Sequence, residues 1–198
     1  MGAGHDHSPG TATGRHRRRL VLVLVLTLSV VGVQVVGGLV SGSLALLADA
    51  GHMLTDATGV AIALISTVIA ARPATNARTF GLQRGEMLAA LANAVLLGVL
   101  AVWVITAAVR RWNDPPEVAS GLMLVVAVAG AIANLISLLI LRSAREESLN
   151  VRGAYLEVLG DLIGSVAVII AALVITITGY TRADIIASVG IGLFILPR

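Results

Sequence analysis

The stretch LVSGSLALLADAGHMLTDATGVAIALISTVIAA, residues 39–71, sets two aspartates and a histidine inside an otherwise apolar run. From Leu44 onward the run exceeds the ~20 residues that a helix needs to cross a bilayer. Whole-chain composition agrees: 57% of the 198 residues are hydrophobic and 13% are charged, with a mean hydropathy of +0.95. A soluble domain of this size does not reach such values. The chain holds no cysteine, which excludes disulfides and thiolate sites.

Working outward, the same apolar character recurs in segments Leu20–Val40, Glu86–Val109, Val118–Leu141, Ala154–Thr178 and Ala183–Leu196. Continuous rather than alternating hydrophobicity argues for helices over strands. The expected fold is an all-α integral membrane protein, a bundle of six transmembrane helices over residues 20–198. Residues 1–19 are expected to form a disordered cytoplasmic tail.

All 14 basic residues are arginines at segment edges. This placement speaks for membrane orientation and against nucleic-acid binding. With the N-terminus inside, only Arg110, Arg111 and Arg182 face out, so the bias places both termini in the cytoplasm.

Asp49, His52 and Asp56 are spaced i, i+3, i+7 and share one helix face. Glu157 and Asp161, in AYLEVLGDLIGS, are spaced i, i+4. At ~1.5 Å per residue, His52 and Asp56 lie roughly 18 and 12 Å above the inner edge of a core about 30 Å thick. Glu157 and Asp161 lie roughly 9 and 15 Å above the same edge, so the four fall in one band. Asp49 lies nearer the outside, at an expected outer mouth or secondary position. An ionised group at that depth costs on the order of 2.5–3.5 kcal/mol. One imidazole and three carboxylates around a divalent cation remove that cost. The expected metal ligands are therefore His52, Asp56, Glu157 and Asp161. Protons compete with metal for those atoms, which is the chemical basis of metal–proton exchange.

At these residues the chain resembles the cation diffusion facilitator family of metal–proton antiporters. The resemblance rests on His52-x-x-x-Asp56, on Thr79–Leu97, on Gly153–Ile175 and on Arg182–Ser188. It implies six helices, a tetrahedral site between helices 2 and 5, a homodimer, and proton-driven export of Zn²⁺ across the plasma membrane. Mn²⁺, Fe²⁺, Co²⁺ or Cd²⁺ are further possible ions. Two departures stand out. Glu157 occupies a position that is histidine in the zinc members, which makes the site harder and more anionic. The sequence also ends at Leu196-Pro197-Arg198, where family members usually continue into a cytoplasmic metal-binding domain.

Other functions fit less well. An exporter of organic cations wants an aromatic-lined cavity, and the six aromatics lie mostly near helix ends. A non-transporting metal receptor wants a folded cytoplasmic module. An enzyme is not expected, since four protein ligands leave a metal no open position to activate water. His5, Asp6 and His7 read as solvated tail, Asn93 and Asn134 as helix-packing polar groups, and Asp184 as an interfacial residue.

Overall fold

The computed structural model describes residues 9–70 and 83–195. The described residues form six helices and no strand: α1 Pro9–Ser41, α2 Leu44–Ala70, α3 Gln83–Trp112, α4 Ser120–Arg142, α5 Leu149–Thr178 and α6 Arg182–Ile195. Four of them contain spans long and apolar enough to cross a membrane: Arg17–Ser41, Leu91–Trp112, Ser120–Arg142 and Leu149–Thr178. With 14 residues, α6 is short, as its sequence suggests.

Helices α1, α2, α4 and α5 pack into a central group, while α3 and α6 pair beside it and touch α2. Two apolar clusters fill the spaces between helices. One joins Leu46, Met123, Val168 and Ile175; the other joins Val23, Leu141, Val151 and Val158. The outward faces stay apolar and exposed, as at Val36, Val99, Leu139 and Ile170. A surface of this kind suits lipid and not water.

One boundary differs from expectation. Helix α1 starts at Pro9, so residues 9–19, expected as disordered tail, are helical. Proline suits the first helical position because its missing N–H has no partner there anyway. Extending a helix that already exists also costs far less than nucleating one. His5, Asp6 and His7 lie outside the described residues, as do Arg72, Arg78, Phe80 and Arg198.

One end of the bundle is tied together by hydrogen bonds. Gly42, at φ +74°, turns the chain between α1 and α2 in a conformation that other residues rarely adopt. The Ala119 N–H donates to Ser41 O (2.9 Å), and Arg111 Nη1 donates to Gly42 O (2.9 Å). Arg182 donates from Nε to Trp112 O (3.1 Å), with its guanidinium 5.8 Å from the Trp112 ring centre. Two of the three arginines on the expected outer side thus have structural roles, which explains why they depart from the charge bias.

Asp184 is a correction to its expected interfacial position. It is buried, and it caps α2 from the other end of the chain. Its carboxylate accepts from Ser43 Oγ (2.6 Å), the Leu44 N–H (2.7 Å) and the Ala45 N–H (3.1 Å). Ser43 Oγ in turn accepts from the Leu46 N–H (3.1 Å). Three of the N–H groups that a helix start leaves open are thereby satisfied.

Candidate metal site

Helices α2 and α5 run antiparallel and face each other through their ionisable residues. His52, Asp56 and Asp161 are all buried, and each offers a ligand atom within 4.8 Å of the others. His52 Nε2 lies 3.6 Å from Asp56 Oδ2 and 3.9 Å from Asp161 Oδ1. The i, i+4 spacing sets the first pair, and helix packing brings in the third residue. Thr55 bonds back to the His52 carbonyl (2.6 Å) and keeps its hydroxyl out of the cluster.

The separations suit a small divalent ion. Ligand atoms at about 2.0–2.1 Å from a tetrahedral Zn²⁺ sit roughly 3.3 Å apart. The observed gaps are slightly wider, so small side-chain rotations close them on an ion. The donor set of one imidazole and two carboxylates is one that zinc accepts.

Glu157 lies outside this three-residue cluster. Its carboxylate lies over α2 at Gly59, where an added Cβ would come within 3.1 Å of Oε1. That places it beside the helix turn that follows Asp56. An ion held tetrahedrally by these three side chains would have a fourth position, within reach of Glu157 or of a water.

Asp49 does not line an open mouth. It is 0% exposed. Its Oδ2 accepts from Gln34 Nε2 of α1 (2.8 Å) and from Ser165 Oγ of α5 (3.3 Å). Ser165 is also joined to Asn134 Nδ2 of α4 (3.4 Å), so Asn134 packs between helices as its sequence context suggests. Four helices meet in this polar group. Gln34 and Ser165 were missed in the sequence. The available signal was a lone glutamine in an apolar helix, without any indication of what it faces.

Gly164 lets α2 approach at this point, since a Cβ there would fall onto Asp49 Oδ1. Gly164→Ala is expected to lower stability by roughly 1–3 kcal/mol, the usual cost of overpacking. Thermal melts in detergent check this. A melt unchanged from the parent would show that Asp49 can move aside freely.

The model of the cation efflux transmembrane domain matches residues 20–197. The metal cation efflux system protein CzcD of Cupriavidus metallidurans is 49% identical over 199 residues, covering all of this chain and 62% of that protein. The zinc transporter ZitB of Escherichia coli is 50% identical over 165 residues, covering 83% of this chain and 53% of that protein. The cadmium, cobalt and zinc/H(+)-K(+) antiporter of Bacillus subtilis is 39% identical over 166 residues, with the same coverage of 83% and 53%. This chain therefore spans less than two thirds of the length of these relatives. The matched region takes in most of α1, all of α2 to α6 and both halves of the buried cluster, and on that ground this integral membrane protein belongs to the cation efflux, or cation diffusion facilitator, family.

Proposed function

We propose that the chain is the membrane part of a secondary transporter that moves Zn²⁺ or a similar divalent ion out of the cytoplasm in exchange for protons. The observation that carries this reading is the buried His52–Asp56–Asp161 cluster between α2 and α5. The relatives' names add support, since they speak of zinc, cadmium and cobalt and, in one case, of protons. The metal is cargo: it binds as ligands lose protons and leaves as they regain them. The arginine bias supports both termini inside the plasma membrane. A homodimer rests on the family resemblance, and α3, with only 22% of its span buried, offers a broad apolar face for a second copy.

The test is metal–proton exchange in proteoliposomes under an imposed pH gradient. Metal flux that ignores the gradient, or no flux at all, sinks the reading.

We further propose that Glu157 swings from Gly59 to complete the ligand set when an ion enters. Glu157→Ala then weakens binding of Zn²⁺, Mn²⁺ and Fe²⁺ alike. Glu157→His raises the preference for Zn²⁺ over Mn²⁺, because imidazole is the softer ligand. Competition titrations of the purified variants read both effects. If Glu157→Ala binds every ion as the parent does, the fourth position belongs to water.

A further inference from the structure

The group around Asp49 is left unused by the transport site. The three clustered ligands do not include it, yet it is a fully enclosed carboxyl. The ionisable groups on neighbouring elements lie to either side of it along the bundle. His52 and Asp56 follow on α2 itself; Asp161 and Glu157 stand on α5; Asp184 of α6 and Arg111 of α3 lie at the tied end. At the depth of Asp49, α1 and α4 contribute the neutral Gln34 and Asn134.

The chemistry of its partners is selective. Gln34 and Ser165 are an amide and a hydroxyl, and each can donate or accept. An arginine there would hold the carboxyl ionised, and a purely apolar lining would hold it neutral. An amide serves both forms: its NH₂ donates to a carboxylate and, after a half-turn, its carbonyl accepts from a carboxylic acid. Two buried atoms match that description. Asp49 Oδ1 and Gln34 Oε1 have no hydrogen-bond partner, while both bonds converge on Asp49 Oδ2. The bare amide oxygen is an acceptor in waiting: with the amide turned, it would take the O–H of a protonated Asp49 at Oδ2.

We propose that Asp49, cradled by Gln34 and Ser165, is a proton-binding site separate from the metal ligands and carries one of the exchanged protons. The step balances simply: the carboxylate takes up one proton, becomes the acid, and the Gln34 amide turns to accept its O–H. Asp49 lies three residues before His52, roughly 4.5 Å along the helix axis. A divalent charge one turn away favours the carboxylate and expels the proton. Reprotonation removes a negative charge from beside the ion and helps it leave. This inference rests on the proton-coupled reading given above and assigns a residue to it.

The experiment uses the full chain in proteoliposomes with the membrane potential clamped. With one coupled proton removed, Asp49→Asn is expected to sustain a metal gradient about tenfold smaller for each unit of pH difference. Its metal binding in detergent is retained. The infrared pH-difference spectrum of the parent should show a protonated carboxyl band that Asp49→Asn lacks. Gln34→Met removes the amide and should shift that band, so the idea remains testable even if Asp49→Asn folds poorly. Parent-like gradients and an unchanged band in Asp49→Asn would overturn the proposal, as would a band indifferent to Gln34→Met. Loss of metal binding in Asp49→Asn would also overturn it, by placing Asp49 among the metal ligands. A parent that ignores the pH gradient instead sinks the transport reading, and the infrared band still decides whether Asp49 binds a proton.

Discussion

Asp161→Asn is expected to remove the metal-dependent stabilisation of the purified protein and to leave the metal-free protein at least as stable as the parent. The two halves of this result have one cause. Asp161 is 1% exposed and stands 3.9 Å from His52 Nε2, in a cluster with Asp56. Without an ion, its charge is a cost of on the order of 2.5–3.5 kcal/mol, which the isosteric amide avoids. With an ion, the amide is a poor ligand. Loss of a partner that merely orients a ligand costs roughly 10–100-fold in affinity. Loss of the ligand itself should exceed that. At a metal concentration 100 times the parent dissociation constant, the parent gains about 2.7 kcal/mol, and the variant, bound at least about 100-fold more weakly, gains about 0.4 kcal/mol or less. Melting curves with and without Zn²⁺ read both numbers. Lowering the pH should shrink the parent's gain, because the ligands must be deprotonated to bind. A variant that keeps the parent's metal-induced shift would remove Asp161 from the site.

Asp184→Ala is the second large effect, and it concerns stability rather than binding. The substitution strips the acceptor from Ser43 Oγ and from the N–H groups of Leu44 and Ala45, all buried. Each buried donor left without a partner costs roughly 1–3 kcal/mol, and loss of an N-cap alone costs about 1 kcal/mol. The expected total is about 3 kcal/mol or more. Asp184→Asn keeps one acceptor oxygen and should lose less than half as much. Metal affinity of the folded fraction is expected to stay at the parent value in both, since Asp184 caps the first turn of α2, roughly 18 Å along the helix from Asp56. Unfolding in detergent together with metal titration separates the cap from a ligand. Parent-like stability in Asp184→Ala would show that water or another residue takes over the cap.

Hydropathy made the helices readable because a membrane span has to be continuously apolar. Expected segments at Val118–Leu141 and Ala154–Thr178 became Ser120–Arg142 and Leu149–Thr178. Where the chain leaves lipid, that rule has no force, and the start of α1 at Pro9 was not legible. Within the site, helical spacing and depth set His52, Asp56 and Asp161 in one band, and helix packing brings their side chains within 4.8 Å of one another. The same rule set Glu157 in that band, and its carboxylate lies against α2 at Gly59, a neighbour that spacing alone does not reveal. Asp49 and Asp184 were the harder cases. Both are explained by partners distant in sequence, Gln34 and Ser165 for one and the start of α2 for the other. Depth along a helix can be counted from sequence, but which neighbour a face meets depends on how six helices rotate against each other.

The cap on α2 also sets an order of events during synthesis. Asp184 follows Leu44 by 140 residues. At roughly 5–20 residues per second, the ribosome takes about 7–28 s to travel that distance. For that interval the nascent protein holds α2, with Asp49, His52 and Asp56 on its inner face, without the contact that fixes its first turn. The sixth helix therefore acts as a closing piece. Until it emerges, α2 is free to tilt and settle against α1, and the arrival of Asp184 fixes its first turn.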